Sequence, residues 1–136
     1  MKFGSYFNSF LLVVFSACAV TANTYAVQHI DTSGDTVVCF AKNQNPLSKF
    51  IKPLFDQVAM HYKLYGINFI YADITKDFAY FENKFHLFTV PTVIYFKNGY
   101  EVYRHEITNQ TMSQDKKNNI IIVDMMKKHV ERIYFV

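Results

Sequence analysis

Few side chains in this 136-residue chain could carry chemistry, and their spacing is uninviting. It has two cysteines, Cys18 and Cys39, in no Cys-x-x-Cys arrangement. Cys39 sits inside the apolar run Val38-Cys39-Phe40, where burial would raise its pKa and limit access, so it reads as a buried structural thiol. The five histidines, His29, His61, His86, His105 and His129, show no paired ligand spacing and no accompanying carboxylate cluster. No metal site is therefore expected. Ser48 has no histidine beside it in sequence, and a partner brought to it by folding stays open. The chain has four glycines and no glycine-rich phosphate loop. No cofactor is expected.

Charge excludes a further class. The net charge is only +3, and the lysine pairs Lys116-Lys117 and Lys127-Lys128 do not line up as a basic stripe. Solvated faces explain them, and no nucleic-acid partner is expected. The length suits one domain with a real core, and the ten tyrosines and fourteen phenylalanines can fill it.

The elements that must position these residues can be read in order. Residues 36–41 form an apolar β-branched run, a strand. Asn45-Pro46 opens a helix, with Asn as N-cap and Pro at the first helical position. Leu47, Phe50, Ile51, Leu54, Phe55, Val58 and Ala59 recur at helical spacing; Pro53 should kink this helix and Gly66 end it. Residues 67–74 form a second buried strand, parallel to the first because a long helical crossover joins them. Phe78, Phe81 and Phe85 fit a short helix. The run Val93-Ile94-Tyr95-Phe96 is a strand led by Pro91 and closed by Asn98-Gly99, a type I′ hairpin signal, with residues 100–107 returning. Residues 108–119 are polar and read as loop. The chain closes with an amphipathic helix over 120–133, with Ile122, Met126, Val130 and Ile133 inward. The order is β-α-β-α-β-β-α.

Residues 1–26 stand apart from the domain at 27–136. They contain no acidic side chain; Lys2 starts them, and Phe10 to Val20 is an apolar run, short for a span of about 20 residues. Small residues follow, with Val20-Thr21-Ala22 and Thr24-Tyr25-Ala26 as candidate cleavage sites. This is the outline of a secretory signal peptide, and it places the domain in the periplasm, the endoplasmic reticulum lumen or outside the cell. The alternative keeps the segment as an uncleaved N-terminal anchor or a core helix. Lipid attachment at Cys18 is disfavoured because Phe15 stands where leucine is usual, and a mitochondrial presequence would need arginine. After cleavage Cys39 would be the sole cysteine, which excludes an internal disulfide. Asn109-Gln110-Thr111 is a glycosylation sequon, meaningful only in a eukaryotic secretory pathway.

Several stretches together resemble the thioredoxin family. Val90-Pro91-Thr92, the apolar strand after it and Phe96-Lys97-Asn98-Gly99 are similar to the family's cis-proline strand and hairpin. Val37-Val38-Cys39-Phe40-Ala41 resembles its central strand, and Ile51-Lys52-Pro53-Leu54-Phe55 the kinked part of its first long helix. The resemblance implies an α/β thioredoxin-like fold, a mixed central sheet flanked by helices, with a cis bond at Val90-Pro91. Only residues 27–35 precede the first strand of the mature domain, so a minimal, glutaredoxin-sized version without the family's N-terminal strand and helix is expected. Counting back from Pro53, the family's two thiols fall on Asn45 and Ser48, and its buried acid on Cys39. Neither amide nor unassisted hydroxyl replaces a thiolate in exchange chemistry, so the resemblance implies a member without dithiol activity.

The resemblance also implies a peptide- or protein-binding groove. It would be lined by Lys42, Asn43, Gln44, Asn45, Pro46, Ser48, Val90 and Pro91, narrowed where Glu106-Ile107-Thr108 replaces the family's small turn. The expected function is protein binding or complex assembly, in an exported or membrane-associated setting, with another protein as partner. Membrane contact would arise only if the N-terminal segment is retained. Two alternatives remain: a weak thiol-disulfide or folding-helper enzyme using Cys39, and a structural subunit of a membrane complex held by the uncleaved segment.

Overall fold

The computed structural model describes residues 23–25, 30–109 and 116–135. Residues 1–22, and with them Cys18 and the body of the signal or anchor segment, lie outside the described residues. In chain order the elements are β1 (Asn23–Tyr25), β2 (Thr36–Ala41), α1 (Pro46–His61), β3 (Asn68–Asp73), α2 (Phe78–Phe85), β4 (Thr92–Lys97), β5 (Tyr100–Glu106) and α3 (Lys116–Tyr134).

The strands form one sheet in the order β1-β3-β2-β4-β5. β1 and β2 both run parallel to β3, while β4 is antiparallel to β2 and to β5. The minimal sheet without an N-terminal strand is therefore corrected: Asn23–Tyr25, inside the stretch set apart as signal or anchor, pairs with Ile70–Ala72. Three residues with two polar members carry no legible strand pattern. The open edge of β3 supplies the partner that makes them a strand.

β2 is buried along its whole length, which explains its unbroken apolar sequence. Val37, Cys39 and Ala41 face a core shared with α1 and α3, where Ile51, Phe55, Tyr71, Tyr95 and Met126 pack. Val38 and Phe40 face the other core, with Ile70, Phe81, Ile94 and Phe96. The alternation along one strand thus feeds two cores.

Some boundaries move. α1 stops at His61, capped by the N–H of Tyr62 on the Val58 carbonyl, and Gly66, at φ +75°, turns the chain into β3. Leu47 and Phe50 are only half-buried, and Ser48 takes the inward position instead. α3 begins at Lys116, inside the stretch read as loop, and it buries Val123 while Ile133 stays half-buried. Asn98 and Gly99 both have positive φ, +51° and +86°, as a type I′ hairpin requires.

A layer of aromatic and imidazole rings holds α3 against the hairpin. The His129 ring lies 4.3 Å from that of Tyr103, 5.7 Å from Tyr95 and 6.4 Å from His105. His105 Nδ1 and the Tyr95 hydroxyl are buried without a hydrogen-bond partner among the described residues. Burial holds both histidines below the usual imidazole range, and His105 and Arg132 depress His129 further. Because their folded pKa values lie below the unfolded ones, the unfolded chain takes up protons first. The stability they confer is present above the unfolded pKa and is lost as pH falls through the folded values. Thermal unfolding should therefore shift to lower temperature between about pH 7 and about pH 5. His129→Gln should flatten that dependence, and an unchanged slope would show that the layer does not carry it.

Candidate functional site

The groove residues gather at the end of the sheet where β2 runs out into α1. The β2–β4 register ends at Phe40 opposite Thr92, so the residues after Phe40 run beside Pro91 and Val90. Asn45 organises the loop. Its Oδ1 accepts from the N–H groups of Leu47 (2.8 Å) and Ser48 (3.2 Å), and its own N–H donates to the Lys42 carbonyl (2.9 Å). Pro46 at the first helical position costs no donor, since that N–H would have no partner within the helix.

Ser48 is placed differently from its expected role. It is fully buried at 0% exposure and cannot line a groove. Its Oγ accepts the Lys42 N–H at 3.1 Å, and its carbonyl accepts the Tyr71 hydroxyl at 3.2 Å. A serine is small and polar enough to satisfy a loop amide beneath the surface. Its local sequence gave no sign of that, because the amide it serves is six residues back in the chain.

The remaining residues divide by exposure. Asn43, Gln44 and Pro46 are exposed, Lys42 and Asn45 half-buried, Val90 and Pro91 buried. The Lys42 ammonium lies 3.5 Å from the centroid of the Phe78 ring, a cation–π contact that draws it toward α2. The Asn43 N–H donates to Asp73 Oδ1 at 3.4 Å, and the same oxygen receives the Thr75 N–H at 3.1 Å. The sequence placed Phe78 only in a short helix and gave no role to Asp73, whose cue is its place at the C-terminal end of a parallel strand.

On the opposite wall the Val90–Pro91 peptide is cis. The Ile107 N–H donates to the Pro91 carbonyl (3.0 Å), and the Thr92 hydroxyl to that of Thr89 (2.7 Å). The backbone N–H and carbonyl of Val90 have no partner among the described residues. The expected narrowing of the groove does not involve Ile107. At 1% exposure its side chain packs in the core shared with α1 and α3. Phe88, two residues before Val90, is 85% exposed and borders a cleft of about 350 Å³ lined by Glu82, Asn83, His86 and Leu87.

Cys39 does not reach this surface. It lies mid-strand in β2, paired with Tyr71 and Val93, at 0% exposure. Burial pushes its thiol pKa far up, the Asp56 carboxylate adds to that, and Lys52 opposes it. Asp56 holds Lys52 at 2.7 Å through Oδ2, while its buried Oδ1 has no hydrogen-bond partner among the described residues. Among the described residues no cluster of three or more His, Cys, Asp or Glu could hold a metal ion.

Two outcomes follow from this geometry. In a Cys18→Ser background, Cys39 should react slowly with a small thiol reagent in the native state and quickly in denaturant; fast native labelling would refute its burial. Ser48→Ala removes the acceptor of the Lys42 N–H and should cost about 1–3 kcal/mol. Asn45→Ala should cost about 1 kcal/mol, both read by urea unfolding.

No family model matches this chain, and no curated protein matches it. Solved structures do. Thioredoxin O1 from Arabidopsis thaliana superposes with a TM-score of 0.60 at 17% identity, over 84% of this chain and 98% of that one. Thioredoxin O2 from the same plant gives 0.57 at 18% identity, over 90% and 88%. Thioredoxin 1 from Thermosipho africanus gives 0.51 at 20% identity, over 71% and 94%. At such identities the likeness speaks to architecture alone. The five-stranded mixed sheet, with α1 and α3 on one face and α2 on the other, is a thioredoxin-like fold.

Proposed function

We propose that this chain is a thioredoxin-fold binding domain that has no dithiol chemistry and works by holding another protein in an exported or membrane-associated setting. The observation that carries the reading is the self-capped start of α1. At a helix N-terminus the free amides and the positive end of the dipole can stabilise a thiolate. Here the amides of Leu47 and Ser48 are already taken by the Asn45 side chain, and no thiol is present at Asn45 or Ser48, the positions the resemblance assigns to the family's thiols. The only cysteine among the described residues is Cys39, buried and shifted toward the protonated, inert form.

Binding is supported by what the same surface still offers. Among the described residues the backbone N–H and carbonyl of Val90 have no partner, and these are the groups an extended partner strand would use. Exposed Asn43, Gln44 and Pro46 stand on the facing loop, and Phe88 adds an exposed apolar ring nearby. This is a small polar site with an apolar margin, suited to an extended segment rather than to a deeply enclosed small molecule.

The wild-type protein should show no disulfide reductase or oxidase activity above a no-protein control. Asn45→Cys/Ser48→Cys should introduce an internal disulfide under oxidising conditions, since positions three apart at a helix start bring the Cα atoms to about 5–6 Å. Reductase activity in the wild type would overturn the redox part of the reading. For the binding part, hydrogen exchange with a reduced, carboxymethylated unfolded protein should protect the Val90 amide and residues 42–44. Complex formation that leaves these amides unchanged would place the interface elsewhere.

A further inference from the structure

The cleft beside Phe88 carries a charge that the fold around it does not compensate. Leu87, buried in the core with Phe81 and Val90, forms its floor, and the exposed side chains of Glu82, Asn83 and His86 form its walls. α2 ends here: the N–H groups of His86 and Leu87 both donate to the Glu82 carbonyl, and His86 turns the chain at φ +53°. The cations at this helix end are committed elsewhere. Arg104 donates to the carbonyls of Phe85 (2.8 Å) and His86 (2.9 Å) and is paired with Glu101. The Lys84 ammonium lies 5.7 Å from the Tyr80 ring centroid and 5.5 Å from that of Phe85. The Glu82 carboxylate has no ion-pair or hydrogen-bond partner among the described residues.

We infer that this cleft receives an arginine side chain of the bound segment, an assignment that rests on the protein-binding reading and deepens it. Phe88 and Glu82 supply the two halves of a guanidinium site, an exposed ring and a carboxylate uncommitted among the described residues. A guanidinium can stack on a ring and present its planar fork to a carboxylate together, whereas an ammonium is a point charge without that fork. The apolar stem of the arginine would lie over Leu87 while its head stays at the open mouth. Spacing along the chain fits as well. Phe88 is two residues from Val90, so a segment extended at about 3.3 Å per residue passes the cleft two positions from the residue that meets the Val90 backbone. The net charge of +3 gives no long-range pull on a basic segment, so the preference acts at short range.

The test uses the full chain and three short fluorescein-labelled peptides of Ser, Thr and Val, identical except for one central position holding arginine, citrulline or glutamate. Citrulline keeps the shape of arginine and removes its charge. Fluorescence anisotropy should show the arginine peptide binding about fivefold more tightly than the citrulline peptide, with the glutamate peptide weakest. Glu82→Gln should bring the arginine and citrulline peptides within about twofold of each other. Phe88→Ala should weaken the arginine peptide about threefold. Both side chains are exposed, so neither substitution opens the core. Equal binding of the arginine and citrulline peptides to the wild type, or an arginine preference that survives Glu82→Gln, overturns the inference while the groove stands. Binding of none of the three peptides overturns the protein-binding reading and the inference with it.

Discussion

The structure depends on the double-sided burial of β2. Its six residues, Thr36–Ala41, are all buried, and their side chains alternate between two cores. A strand with no solvent face needs cover on both sides and hydrogen-bonding neighbours at both edges. β3 and β4 supply the edges, α1 and α3 cover one face, and α2 with its phenylalanines covers the other. Cys39 lies at the centre of this strand, and the same burial pushes its thiol pKa up.

The end of β2 is where this constraint meets the proposed binding surface. On leaving the sheet the chain must satisfy loop amides and start a helix within four residues, from Lys42 to Asn45. It does so with Asn45 above and Ser48 below, one side chain capping two helical amides and the other accepting the Lys42 N–H. Substituents that complete the loop's hydrogen bonds occupy the positions where the resemblance to thioredoxins expects sulfur. The helix start is thereby stabilised by its own side chains and has no need of an anionic group. Beside it, the backbone N–H and carbonyl of Val90 have no partner among the described residues.

The packing of α3 against the hairpin, on the same face as α1, is built on a different compromise. Tyr95, Tyr103, His105 and His129 fill the space between α3 and the hairpin with rings that pack well. Two of their polar atoms, His105 Nδ1 and the Tyr95 hydroxyl, have no hydrogen-bond partner among the described residues. Buried imidazoles are tolerated there only as neutral groups, so the packing of α3 is tied to pH in a way that an aliphatic layer would not be.

Much of the fold was legible from local rules. Six residues without a polar face made β2 a buried strand, Asn45-Pro46 marked a helix start, and Asn98-Gly99 marked a hairpin, because each signal is steric or involves only near neighbours. By themselves those residues also determined that no Cys-x-x-Cys stands at the start of α1. Tertiary structure decided what depends on distant partners. Asn23–Tyr25 became a strand only because β3 offers an edge, and Ser48 turned inward because the Lys42 amide needs an acceptor. The two histidines, 24 positions apart in the chain, met because α3 crosses the hairpin, bringing their ring centroids to 6.4 Å. Hydrogen-bond partners and burial are properties of the assembled fold, and neither periodicity nor spacing along the chain encodes which distant group will arrive.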